Sequence, residues 1–313
     1  MNKSLKIWVL NGGSSKEREI SLSSGKGIFN ALKKLNYNVQ LFDVREGQDV
    51  LKLKWSEVDL VFPALHGGFG ENGSLQGFLR SIQIPFICSG VFSSSVAMDK
   101  NATKKLLNSE EIPMPHSTLV LEGESHHSIQ EKLKILKEKS GTDDFFMKPN
   151  ADGSSVGSER INSLDHLKVH QFLEKFGNMI IEENISGDEC TCTVMHQKAL
   201  PVTRIQPKNG GFYNYQAKYT AGATDYECPA KISAEAYKNI QLYSEKVFKL
   251  LGCSDYARCD FLVRKNIAYF LEINTLPGMT PTSLVPKAAE AAGMNYEEFI
   301  DHIVQEKIKN YES

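Results

Sequence analysis

The amino-acid sequence predicts an α/β protein. A doubly wound parallel sheet occupies about the first 95 residues, and a longer part follows in which strands and helices mix as in α+β proteins. Two observations carry this. Short apolar runs alternate with helical stretches from Lys6 to Cys88, whereas strand-type runs dominate from Cys190 onward. The 313 residues are also enough for two or three units of about 100–200 residues each. Boundaries are placed near residues 98 and 184, giving parts 1–98, 99–183 and 184–313.

In order, Lys6–Leu10 reads as a buried strand, followed by a Gly/Ser turn and a helix through Leu35. Strands are expected at Asn38–Phe42 and Asp59–Leu65. A glycine-rich loop leads to a helix from Ser74 and a short strand, PFIC. Ser94–Ser109 reads as one helix, Phe145–Lys148 as a strand, Leu164–Phe176 as a helix and Met179–Glu183 as a strand. CTCTVM and ALPVTRIQP are strands, and Lys208–Cys228 is a long loop of the kind that is usually functional. A helix over Ser233–Leu251 precedes a hairpin, Tyr256–Val263 with Ala268–Asn274, and the C-terminus is helical.

Net charge is −2, from 36 basic and 38 acidic side chains, which argues against a general binder of nucleic acid or anionic membrane. No apolar run approaches the roughly 18 residues of a membrane span. The first residues, MNKSLKIWVLNGG, hold four consecutive apolar positions, too few for a signal-peptide core, so a cytoplasmic location is expected. Six cysteines without a CxxC pair read as reduced thiols, and no Cys/His spacing suits zinc.

Several segments can carry chemistry. Asn11-Gly12-Gly13-Ser14-Ser15 lacks the GxGxxG pattern and no P-loop motif occurs, so a plain strand-to-helix turn is one reading. Glu19 at its mouth offers another, a carboxylate holding a substrate ammonium at the carboxyl end of a parallel strand. His66 opens a segment with four glycines in eight residues and could be structural or part of a site. Lys148 ends a strand before a Gly/Ser loop whose amides could cradle an anion; a hairpin tip is the plainer alternative. Glu182-Glu183 lead into a linker-like segment, with Glu189 beyond it.

The hairpin is the most specific element. With a turn centred on Asn266, Asp260 faces Glu272 and Arg258 faces Asn274, and all four side chains share one face. Asp, Glu and Asn are hard oxygen donors suited to Mg²⁺, and paired carboxylates need a cation or arginine beside them. A register shifted by one, with a two-residue turn, would place the pairs on opposite faces.

Taken together, the chain resembles the D-alanine–D-alanine ligases of the ATP-grasp superfamily from residue 6 to about residue 304. The carrying segments are GGSSKEREISLSSG (12–25), FPALHGGFGENGSLQG (62–77), SGVFSSSVAMDK (89–100), KPNADGSSVG (148–157), FYNYQAKYT (212–220), ECPA (227–230), GCSDYARCDF (252–261) and LEINTLPGMTPTSLVPKAA (271–289). The resemblance implies a two-lobed ATP-grasp fold after the N-terminal sheet. It also implies ATP-dependent joining of two D-alanines, with two Mg²⁺ (or Mn²⁺) and a homodimeric state.

By position, it implies that Glu19 binds the first D-alanine's ammonium and that His66 and Tyr213 line that pocket. Lys100, Lys148, Lys218, Ser154 and Ser155 would contact phosphates. Glu182, Glu183 and Ile185 would hold adenine, mostly through backbone, and Glu189 the ribose. Ser154, Tyr219 and Arg258 would serve the reacting centre. Asp260, Glu272 and Asn274 would hold the metals, and Gly278, Ser283 and Leu284 would shape the second D-alanine site. The Gly153–Gly157 and Lys208–Cys228 segments would act as lids excluding water from an acyl phosphate.

Tyr219 matches members that make the dipeptide rather than the D-lactate ester. Asp152, Gln216, Asn72 and Cys259 depart from the common pattern, and Cys259 is expected on the apolar face. Another ATP-grasp ligase would keep Lys148, Arg258 and the metal set but differ around Glu19 and Ser283. A non-catalytic regulator would have lost those lysines or ligands.

Overall fold

A computed structural model describes residues 4–153, 157–208, 220 and 222–312. Strands β1 (Lys6–Gly12), β2 (Asn38–Val44) and β3 (Leu60–Pro63) form a parallel sheet in the order β2-β1-β3. The expected PFIC strand contributes one parallel bridge, Phe86 to Val61. Helix α1 (Arg18–Lys34) lays Ser21, Ser24, Ile28, Ala31 and Leu32 inward, the 3–4 spacing of one helix face. Gly25 allows the helix to lie this close, because a Cβ there would sit 2.4 Å from Asn11. Helix α2 (Ser74–Ser81) covers the other face with Leu75 and Leu79 beside Trp8 and Leu10.

The single helix expected over Ser94–Ser109 is two, α3 (Val91–Met98) and α4 (Lys100–Leu107). Asp99 divides them. Its extended backbone caps α4, and Oδ1 accepts the Ala102 N–H at 2.8 Å.

A second, antiparallel sheet has the order β4-β7-β5-β6, from β4 (Ser117–Val120), β5 (Phe145–Pro149), β6 (Glu159–Ile161) and β7 (Met179–Glu183). Helices α5 (His126–Ser140) and α6 (His166–Phe176) pack on one face with a core of their own, including Ile129, Leu133, Phe145, Met147 and Leu173. Helix α5 and strands β4 and β6 have no counterpart among the sequence expectations. The first is legible: Ile129, Leu133 and Leu136 repeat at helical spacing after a Ser125 cap.

The third sheet comprises β8 (Asp188–Met195), β9 (Lys198–Ala199), β10 (Thr203–Pro207), β11 (Thr224–Glu227), β12 (Tyr256–Arg264) and β13 (Ile267–Asn274). Its order is β11-β10-β8-β12-β13, with β9 on β8. The segment expected as loop over Lys208–Cys228 thus ends in a strand. Helix α7 (Ala234–Leu250) covers the face carrying Cys190, Cys192, Cys259, Phe261 and Phe270. Cys259 therefore lies on the apolar face, as expected.

Helices α8 (Leu284–Ala291) and α9 (Tyr296–Glu312) follow. Phe299, Ile300 and Ile303 of α9 join one core with Ile7, Val9 and Ile28. No helix of the described residues is long and apolar enough to cross a membrane.

The hairpin reaches its register by two steps. The turn is Lys265-Asn266, both with positive φ (49° and 66°), the signature of a two-residue type I′ turn. Arg264 pairs with Ile267 and Phe261 with Phe270; then a bulge shifts the pairing, so that Asp260 meets Glu272 and Arg258 meets Asn274. The extra residue is Leu271. Without it, Asp260 would oppose Leu271 and Glu272 would turn to the apolar face.

Candidate active site

The exposed faces of the second and third sheets bound a cavity of about 580 Å³. One wall comes from β5, β7 and α4. Across β5 and β7, Phe146 pairs with Glu182, and Lys148 lies diagonally on the same face. The carboxylate of Glu182 is 4% exposed and takes two lysines: Lys148 Nζ at 2.6 Å from Oε2, and Lys104 Nζ on Oε1. Burial works against the Lys148 charge, but Glu182 and Glu272 outweigh it and hold its pKa above the ordinary value. For Lys104 burial wins, and its pKa is lowered. For Glu182 the two lysines outweigh burial, so it stays ionised. Lys100, one turn before Lys104, donates to the Asp152 carbonyl at 2.7 Å and stands 3.5 Å from Glu272.

The facing wall is the hairpin. Arg258 grips Asp260 with two bonds of 2.8 Å, the strong fork geometry of arginine with carboxylate. Thr191 adds a third at 2.7 Å. Asn274 Oδ1 accepts the Leu276 N–H at 2.9 Å. Between these walls, Phe146, Ile185, Leu262 and Leu271 supply apolar lining, and Glu183, Glu189 and Leu284 complete it. Glu183 is paired with Arg264 at 3.0 Å.

Among the described residues no three His, Cys, Asp or Glu side chains form a metal cage. Asp260 and Glu272 oppose each other, with the Asn274 amide two residues on. Two carboxylates and an amide oxygen suit a small hard cation that takes its other ligands from phosphate and water.

One sequence expectation changes at the N-terminal sheet. Glu19 is exposed in the first turn of α1. It is Glu17 that faces inward: its Oε2 lies 3.6 Å from where a Cβ on Gly67 would sit and 3.4 Å from that position on Gly153. The Glu17 charge is felt by His66 and Glu71. Glu17 precedes the helix, which begins at Arg18, whereas Glu19 lies in its first turn and is exposed.

His66, in turn, is used structurally on both nitrogens. Nδ1 is 3.0 Å from the Leu276 carbonyl and Nε2 is 3.0 Å from Ser24 Oγ, which itself accepts the Met279 N–H at 3.1 Å. This fits a neutral ring that donates from Nδ1 and accepts at Nε2, and burial lowers its pKa accordingly. His66 thus ties the N-terminal sheet to the loop before α8.

Ser283 precedes α8, its Oγ accepting the Thr280 N–H at 3.1 Å, and a Cβ on Gly278 would approach that Oγ to 3.1 Å. Ser154, Ser155, Tyr213, Gln216, Lys218 and Tyr219 lie outside the described residues. Lys104 was not singled out from the sequence. Its one signal is position, four residues after Lys100 and hence on the same helix face.

Residues 106–305 match the family model described as D-ala D-ala ligase C-terminus, and residues 47–89 the corresponding N-terminus. The chain belongs to the D-alanine–D-alanine ligase family. Curated D-alanine–D-alanine ligases are similar over nearly the whole length. That of Syntrophotalea carbinolica is 39% identical, covering 96% of this chain and 95% of its own. That of Zymomonas mobilis is 40% identical, covering 96% and 94%. The crystal structure of D-alanine–D-alanine ligase from Bacillus anthracis complexed with ATP superposes with a TM-score of 0.83 at 32% identity, covering 98% of each chain. The cavity just described belongs to this ligase-family fold.

Proposed function

We propose that the protein joins two D-alanines to D-alanyl-D-alanine at the expense of ATP, for peptidoglycan precursor synthesis. The observation that carries this reading is the opposition, across one cavity, of buried Lys148 and Lys100 to Arg258, Asp260 and Glu272. Residues 1–98 would serve the first substrate, while 99–183 and 184–313 would close on the nucleotide.

In this mechanism the first D-alanine carboxylate attacks the γ-phosphorus of ATP and ADP leaves, giving an acyl phosphate, because an oxide is too poor a leaving group for an amine to displace directly. The amine of the second D-alanine then attacks the acyl phosphate, and phosphate leaves. The protein contributes mainly positioning and charge. Glu17, rather than Glu19, would hold the first ammonium. Lys100 and Lys148, with Lys218, Ser154 and Ser155, would cradle phosphates. Arg258 lies beside the carboxylates, where it would supply charge to the developing oxyanion, with Ser154 and Tyr219 near the reacting centre.

Phe146, Ile185, Leu262 and Leu271 form the slot for adenine, bounded by Glu182 and Glu183, with Glu189 near the ribose. Ser283 at the start of α8 would meet a substrate carboxylate, and Gly278, Leu284, Tyr213 and His66 would surround the substrates. Asp260, Glu272 and Asn274 would hold Mg²⁺ (or Mn²⁺), which supplies phosphate charge neutralisation when bound. A cytoplasmic location and a homodimer complete the reading.

Phosphate release from Mg·ATP with D-alanine, L-alanine or no amino acid, followed by product mass, tests it. D-alanine dependence with dipeptide formed is expected. Release driven by another amino acid, or by none, would overturn the substrate assignment. Ester formation from D-lactate rivalling dipeptide at pH 7 would overturn the dipeptide specificity.

A further inference from the structure

Lys104 has no part in the chemistry above, yet it is a deeply buried ionisable group directly behind the cavity lining. It is 6% exposed and reaches Glu182, whose other oxygen holds Lys148. Burying an ammonium costs several kcal/mol unless it is paired, so a lysine there needs a reason. The surroundings are fixed on every side. Asn150, itself buried, accepts the Lys100 and Asn101 amides with its main-chain and side-chain oxygens, at 3.0 Å each, pinning α4 to the end of β5 two residues after Lys148. Glu182 comes from the adjacent strand β7. The result is one carboxylate between two ammonium groups, a trio with an excess of one positive charge.

We infer that Lys104 is a positioning residue for nucleotide binding: by occupying one oxygen of Glu182, it leaves Lys148 only partly neutralised and directed into the cavity. This rests on the ligase reading of the same site. The physical reason is charge counting. A lone Glu182–Lys148 pair is neutral and draws the lysine toward the sheet. A second ammonium on Glu182 restores a net positive charge facing the phosphates, where a water-poor wall makes each charge count for more than in solvent. Lys104 does not need to touch the nucleotide to do this.

The test is Mg·ATP and Mg·ADP binding by calorimetry, without amino acid, on the unaltered chain and on Lys104→Met, Lys104→Arg, Glu182→Gln and Lys104→Met/Glu182→Gln. Lys104→Met should weaken nucleotide binding about tenfold, the scale of one hydrogen-bonded charge. Lys104→Arg should restore most of it. Steady-state KM for D-alanine should stay within about twofold while KM for ATP rises, a split that a general loss of folding would not give. The decisive arm is the double variant. With the carboxylate gone, Lys148 keeps only the more distant Glu272 and Asp260 as opposing charges, so the double variant should bind nucleotide more tightly than Lys104→Met alone.

Equal nucleotide binding by Lys104→Met and the unaltered chain would overturn the inference. So would a double variant as weak as Lys104→Met or weaker. Should Lys104→Met fail to fold, Lys104→Gln takes its place in both comparisons, and nucleotide binding by it equal to that of the unaltered chain would overturn the inference. No nucleotide binding by the unaltered chain would instead sink the ligase reading itself, so the two failures are separable.

Discussion

Asp260 faces Glu272 across the hairpin because Leu271 is an extra residue in its strand. The two-residue turn alone would have sent Glu272 into the apolar core beside Phe270 and Ile273. The bulge also leaves Leu271 and Glu272, consecutive in sequence, both half-buried on the cavity side. One irregularity thus supplies an apolar surface and a charged ligand side by side, as bulges next to active sites commonly do.

Leu271→Ala removes the apolar half of that arrangement and leaves Asp260 opposite Glu272. Losing a partly buried leucine side chain from a nucleotide slot should cost about 1–2 kcal/mol of binding, roughly a tenfold rise in KM for ATP. Steady-state kinetics with ATP varied checks this, and an unchanged KM for ATP would remove Leu271 from the adenine slot.

Glu272→Gln acts on the other half. It removes a hard anionic oxygen while keeping the shape. The expected outcome is a fall in kcat of about a hundredfold or more, with the Mg²⁺ concentration for half-maximal rate raised. Titrating Mg²⁺ at fixed ATP reads both. A normal Mg²⁺ dependence would show that the carboxylate pair holds no metal.

The substrate ammonium separates Glu17 from Glu19. Glu17→Gln should raise KM for D-alanine at the first site by about ten- to a hundredfold, since a charge-assisted contact becomes a neutral one. Glu19→Gln, exposed on the first turn of α1, should stay within about twofold. The opposite ranking would return the role to Glu19.

Glu71 gives a pH prediction. Burial, then the nearby charge of Glu17, raises its pKa from the ordinary 4.5 to about 8. The folded chain therefore keeps a proton that the unfolded chain releases near 4.5. The stability this gives is complete below about 4.5 and is lost as pH rises toward 8. Glu71→Gln keeps the neutral form at every pH. Its Tm relative to the unaltered protein should increase from about pH 5 to about pH 8. A constant difference across that range would mean that Glu71 is ionised in the folded protein throughout.

What the sequence could and could not reveal divides along physical lines. Residues in segments with strong local signatures were placed on one face correctly: Arg258, Asp260, Glu272 and Asn274 share the hairpin face. The route was different, since a three-residue turn was expected, and the two-residue turn and the bulge offset each other by one residue. A bulge has no signature in an apolar run such as YFLEI. Glu17 and Glu19 sit two apart in KEREIS, about 200° round a helix, so their roles hinge on where α1 begins. Lys104 was illegible for a different reason. A lysine on a short helix is ordinarily solvated, and its burial depends on Glu182, 78 residues later. His66 looked equally like a ligand or a support, and only the carbonyl of Leu276, 210 residues away, shows which bonds it makes.

The packing of α9 on the first sheet has a consequence for how the chain is made. Ile7, Val9 and Ile28 leave the ribosome long before Phe299, Ile300 and Ile303, with which they share a core. Lys34 and Tyr37 likewise find Glu297 and Asp301 only then. The second sheet has a core built wholly from residues 120–181 and has no such wait. During synthesis the middle of the chain can therefore settle before its beginning does. A nascent chain stopped just after α8 would carry a finished central lobe and an opening sheet whose core still lacks its last helix, the gap a chaperone would be expected to cover.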